Sequence, residues 1–183
     1  MTGIFKINNN EVIGSDGTFS GTIGSGATFP VGHVLQVVHD TTRETNTLDQ
    51  TFTNYYEQSI QLKSASSDVI GIFHHGWAVS GVQEGFGLKV YRNNSATVTT
   101  SHTLVYNPTV TDGVGPLQGY NTGGQLRSSA SYNFKDTLSG FSVGNTLYYG
   151  FFFRRRSTSS TMQIPPDDQQ DGVFSLTLME VQK

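Results

Sequence analysis

The pentapeptide Gly140-Phe141-Ser142-Val143-Gly144 has the G-x-S-x-G spacing with which hydrolases lift a serine hydroxyl onto a sharp strand-to-helix turn. The stretch directly after it, Asn145 through Phe153, is aromatic and apolar and predicts a strand. No histidine lies beyond His102, so the order serine, acid, histidine of that enzyme class is absent. The segment is expected to be a glycine turn between two strands, and no catalytic residue is assigned.

Metal chemistry is equally poorly served. His74 and His75 adjoin in a predicted strand, where neighbours point to opposite faces and cannot readily chelate one ion. One is expected buried and the other exposed. His33, His39 and His102 have no partner at a ligand spacing, and H-E-x-x-H does not occur. Asp167, Asp168 and Asp171 cluster in DDQQDG and could hold calcium, but the twelfth position counted from Asp167 is Leu178, where an EF-hand needs a bidentate glutamate. A solvated acidic turn competes with an irregular calcium site there, and no cofactor is expected.

Two groups could bind a partner or a sugar. Arg154, Arg155 and Arg156 end a strongly apolar stretch and could pair bidentately with carboxylates. The competing reading makes them gatekeepers that stop a hydrophobic strand from pairing wrongly, with the 167–171 carboxylates as their intramolecular counterpart. Tyr55, Tyr56, Trp77, Tyr106 and Tyr120 could stack on sugar rings; Trp77 sits in the best core strand and Tyr120 in a long loop, which makes Tyr120 the candidate for exposure.

The elements that must position these groups read as strands. Val34–His39, residues 51–62 and 69–80, Phe86–Tyr91, Val98–Tyr106, Gln125–Lys135, Asn145–Arg155 and the stretch from Phe174 are short β-branched or aromatic runs separated by turn residues. Residues 69–80 start apolar on both faces, as a central strand does. Phe86, Leu88 and Val90, and again Leu147, Tyr149, Phe151 and Phe153, should be buried, with Lys89 turned outward. The connections 107–124 and 157–172 are candidate functional loops or tolerated insertions. No segment carries a sustained helical period with caps. The economical fold is a single antiparallel β-sandwich, jelly-roll-like, of about eight strands over residues 33–183. Residues 1–32, rich in glycine and small hydroxyl residues, read as an extended N-terminal arm or a disordered tail.

Composition narrows the classes of function. Of the 183 residues only 14% are charged and 35% hydrophobic, while glycine occurs 21 times and phenylalanine 12 times. Helix-forming Lys and Glu are scarce, yet the aromatics argue against disorder. A net charge of −3 gives no basis for sequence-independent nucleic-acid binding. No cysteine means no disulfide framework, so stability is expected from packing or association. Neither a signal peptide nor an apolar run of about eighteen residues is present, so secretion by a recognisable signal and membrane insertion are not expected.

Five segments in order, FPVGHVLQVVHDTT at 29–42, SIQLKSASSDVIGIF at 59–73, FGLKVYRNNSATV at 86–98, FKDTLSGFSVGNTLYYGFFFRRRS at 134–157 and FSLTLMEV at 174–181, resemble small β-sandwich virion proteins of tailed bacteriophages, especially marine ones. The shared features are a Gly-x-Val-Leu-Gln opening strand, a serine-rich turn before an apolar strand, and a closing Met-Glu-Val. The resemblance implies a non-enzymatic virion-surface component, a short tail fibre or tail tip or a capsid decoration protein, acting in assembly or host attachment. It implies a homotrimer that contacts other capsid or tail proteins and, in the attachment case, a host surface glycan. No long shaft precedes the sandwich here. A carbohydrate-binding module or lectin is the alternative from a different class.

Overall fold

Alternation of apolar and polar residues gives each strand one face to hide, and two sheets hiding those faces against each other is the arrangement reached. The computed structural model describes residues 5–7, 10–13, 30–80, 84–108, 118–119, 125–156, 161–165 and 173–183. The chain divides into two units, Met1–Pro30 and Val31–Lys183. In the first, β1 (Phe5–Ile7) pairs antiparallel with β2 (Asn10–Ile13).

The second unit contains β3 (Val34–Thr42), β4 (Asn46–Thr47), β5 (Thr53–Gln61), β6 (Ser67–Ser80), β7 (Glu84–Asn93), β8 (Thr103–Tyr106), β9 (Gln118–Gly119), β10 (Gln125–Thr137), β11 (Thr146–Arg155), β12 (Thr161–Ile164) and β13 (Phe174–Gln182). β10 pairs with β6 along Asp68–Ser80, so β13 and β12 must share the other edge of β6, end to end. β3 then flanks β13, and β4 flanks β12. One sheet therefore runs β3-β13-β6-β10 and the other β5-β11-β7-β8, all antiparallel. Numbering these strands one to eight along the chain gives orders 1-8-3-6 and 2-7-4-5, the double Greek key of a jelly roll.

The core is aromatic. Phe73, Phe86, Phe151, Phe153 and Phe174 are fully buried, joined by Leu88, Leu147 and Tyr149. Phe73 of one sheet meets Phe151 of the other edge-on, with centroids 5.0 Å apart. Each such side chain contributes about 1.5–3 kcal/mol of burial free energy, which lets a chain without disulfides hold two sheets together. Phe86, Leu88 and Val90 of β7 and Leu147, Tyr149, Phe151 and Phe153 of β11 are buried as the alternation predicts. Ile60 and Leu62 also share a buried face.

Two expectations require correction. Val98–Tyr106 is not one strand: only Thr103–Tyr106 pairs, while residues 94–102 fold over the outer face of the β5-β11-β7-β8 sheet. There Val98 packs with Tyr91 and Phe152 and sits against Gly150, where a side chain would collide with it. The Glu57 carboxylate accepts hydrogen bonds from the Thr97 and Val98 N–H groups at 3.0 and 2.8 Å and so latches the loop down. The second correction is that 157–172 is not loop throughout, because β12 lies within it and buries Met162 and Ile164. β6 is the central strand that its apolar start predicts, flanked by β10 on one edge and by β13 and β12 on the other; its inward side chains are buried and its outward Ile72 is 46% exposed.

Polar groups inside the sandwich are held by named partners. Glu180, with no exposed surface, accepts from the Lys63 and Ser64 N–H groups, the Ser67 hydroxyl and the Gln36 amide, and so fixes the serine-rich turn before β6. For Asp68, burial would raise the carboxyl pKa, but hydrogen bonds from Lys135, Lys183 and the Leu138 N–H outweigh it and hold it below the usual range.

Candidate functional site

Ser142 is exposed on the turn between β10 and β11, and the strand β11 follows it directly. Gly140 and Gly144 take φ of 77° and 87°, in the left-handed region that glycine enters without steric cost. The Asn145 side-chain carbonyl accepts from the Ser142 N–H at 2.9 Å, and the Gly144 N–H donates to the Leu62 carbonyl. The pentapeptide is thus a pinned glycine turn.

His74 and His75 do face opposite ways. His74 is exposed and its Nδ1 lies 2.9 Å from the Ser131 hydroxyl. His75 is wholly buried among Phe86, Phe153 and Tyr132, and burial lowers its pKa to about 4. His39 Nδ1 pairs with the Thr177 hydroxyl across the outer face of the β3-β13-β6-β10 sheet. Among the described residues no group of three or more metal-ligating side chains occurs. No helix there is long and apolar enough to cross a membrane.

The structure separates the other candidates. Arg154 and Arg155 are partly buried at the end of β11 and Arg156 is exposed. The Arg154 guanidinium lies 4.8 Å from the centroid of Phe52, which Lys89 also approaches at 4.5 Å. Trp77 is buried; Tyr55, Tyr56 and Tyr106 are partly buried and pack on the core. The Tyr55 hydroxyl donates to the Thr47 carbonyl and accepts from the Asp49 N–H, leaving it tied to the scaffold. Burial, with the Asp40 and Glu44 charges adding to it, pushes the Tyr56 hydroxyl pKa up. Tyr120, Asp167, Asp168 and Asp171 lie outside the described residues.

Two surface features have no clear mark in the sequence. The first is a pocket of 350 Å³ where the end of β7, the start of β8 and the β10–β11 turn converge. Arg92, Asn93, Asn94, His102, Thr103 and Phe141 line it. Of these, Arg92 donates through one guanidinium nitrogen at 2.7 Å to both oxygens of Asp136, which also accepts from the Tyr149 hydroxyl at 2.8 Å. Burial first, and then the Asp136 carboxylate, raise the Tyr149 pKa, so that hydroxyl stays a donor. Phe141 lies 4.9 Å from the Arg92 guanidinium, ring centroid to carbon. The signal in the sequence is faint, since Arg92-Asn93-Asn94-Ser95 looks like any strand-ending polar run and His102 stands there without a ligand-spaced partner.

The second feature is the outer face of the β3-β13-β6-β10 sheet. Val37, Met179 and Ile70 lie side by side across three strands, and Ile72 continues the row along β6. Val37 is 56% and Val34 44% exposed. Ser131, Asn133 and Thr177 surround them, and the charge closest in register is Lys135, opposite Ile70. The other sheet differs in that Val98, from the 94–102 loop, packs on its outer face against Tyr91 and Phe152.

No protein-family model matches the chain, and no curated protein matches its sequence. Among solved structures, a chain from the structure of infectious bursal disease virus Gx strain is similar over 80% of this chain and 40% of that one, at 12% identity and a TM-score of 0.26. This chain therefore spans well under two thirds of that chain's length, and a likeness of this degree says nothing about function.

Proposed function

We propose that this chain is a non-enzymatic structural protein of a tailed-phage virion, a jelly roll that assembles with copies of itself as a surface appendage. A short tail fibre or tail tip, or a capsid decoration protein, is the form meant. Jelly rolls serve as viral shells, lectins and enzymes alike, so the fold only permits this reading. The observation that carries it is the open apolar row of Val37, Met179, Ile70 and Ile72. Contiguous apolar surface on a sheet face, rimmed by hydroxyl and amide side chains, is the composition of a contact surface. The sequence resemblance supplies the occupant, a second copy in a closed ring, and the trimer as the expected number. Cyclic closure would also cover the edge strands β3 and β10.

The test is the solution mass of the full chain by light scattering, beside the variants Val37→Lys and Ile72→Lys. Both positions are exposed in the single chain, so a lysine there leaves the monomer folded. The expected result is an oligomer, three chains in mass, that falls to one chain in either variant with an unchanged circular dichroism spectrum. A wild-type chain that stays monomeric at all concentrations, or an oligomer indifferent to both lysines, overturns the self-assembly reading.

A further inference from the structure

We infer that the pocket at Arg92, Asn94, His102 and Phe141 is a binding site for an uncharged saccharide. This does not depend on the virion reading, and the pocket is built from different strands than the apolar row.

The volume of 350 Å³ lies at the lower end of the roughly 300–1,000 Å³ range of small-molecule sites, which suits one or two sugar rings. Its walls offer what a pyranose requires, an apolar ring surface beside fixed donors and acceptors. Phe141 supplies the apolar wall. The Thr99 N–H donates to His102 Nδ1 at 2.9 Å, which puts the lone pair on Nδ1 and the proton on Nε2, so Nε2 is left as a donor. Asn93 spends its amide N–H groups on the Ser95 carbonyl and hydroxyl, which leaves its oxygen as an acceptor. Asn94 is exposed at the rim and can donate and accept.

Charge decides the class of sugar. Arg92 brings a positive charge to the pocket lining, but Asp136 pairs with it through both carboxylate oxygens at 2.7 Å. The guanidinium already has a carboxylate as its counter-charge, so a uronic acid or a sulfated sugar finds no unpaired cation here, and a neutral ring avoids desolvating a second charge. The walls are also held before any ligand arrives. Asp136 and Tyr149 fix Arg92, Glu57 fixes the 94–102 loop, and Asn145 fixes the turn bearing Phe141. Preorganised walls reduce the ordering cost that a weakly binding sugar must overcome.

The experiment is a glycan array with the intact protein, followed by calorimetric titration of the best neutral binder, with glucuronate and galacturonate as charged controls. Asn94→Trp, which fills the pocket mouth from an exposed position, and Phe141→Ala are measured alongside. Binding of a neutral saccharide that weakens at least about tenfold in both variants, with the melting temperature of Asn94→Trp unchanged, is the expected result. Silence across the array, equal or better binding of the uronic acids, or binding that survives Asn94→Trp overturns the inference.

Discussion

The Phe134 ring occupies the space in which a side chain would stand at Gly71, its cross-strand partner on β6. The glycine is there to be covered, and the ring, 5% exposed, carries the packing of both positions. Gly71→Ala is therefore expected to cost about 3 kcal/mol in urea unfolding by overpacking. In a Phe134→Leu background the same change should cost at least about 1 kcal/mol less. Additive costs would show that the two residues do not share one space.

His75 makes stability depend on pH with a defined sign. The unfolded imidazole takes up a proton near pH 6.5, whereas burial delays this in the folded protein to about pH 4. Stability attributable to His75 is complete above pH 6.5, falls as the pH drops towards 4 and levels off below, by about 3 kcal/mol over the whole window. His75→Phe should flatten this part of the profile when both proteins are compared from pH 8 to 4. It should also gain about 1 kcal/mol at pH 8, because no described group donates to the buried Nε2. Parallel profiles for the two proteins would contradict the assignment.

The Arg92–Asp136 pair is nearly buried, with side chains 14% and 7% exposed. Asp136→Ala strands a guanidinium and a tyrosine hydroxyl and should cost about 3–5 kcal/mol. Tyr149→Phe removes one hydrogen bond to a carboxylate that keeps its arginine, for about 2 kcal/mol. Equal losses in denaturant unfolding would mean that the ion pair contributes little.

Thr97 has φ of 67°, a conformation that a β-branched residue adopts only when held there, and the Glu57 carboxylate does the holding. Glu57→Ala should speed amide hydrogen exchange at Thr97 and Val98 at least about tenfold while β6 amides change only with global stability. Uniform acceleration through both sheets would assign Glu57 to the whole fold and not to the loop.

The strands and their inward faces are legible in the sequence because period-two alternation is local: Phe86, Leu88 and Val90, or Leu147 through Phe153, announce one buried face from neighbouring residues alone. The GFSVG turn is legible too, since a strand follows it, and so is the parting of His74 from His75, since adjacent strand residues diverge. A single strand over Val98–Tyr106 does not form because Val98 is apolar for a tertiary reason, a seat against Gly150 on the far side of a sheet. The pocket is hidden in the sequence for a related reason. Arg92, His102 and Phe141 stand on separate segments and meet only when β7, β8 and β11 align, and Asp136 joins them from the opposite sheet. No local pattern foretells that one sheet's outer face receives Val98 from its own loop while the other keeps an open apolar row. An outward Ile72 and an inward Phe73 differ not in type but in what the rest of the folded chain brings to cover them.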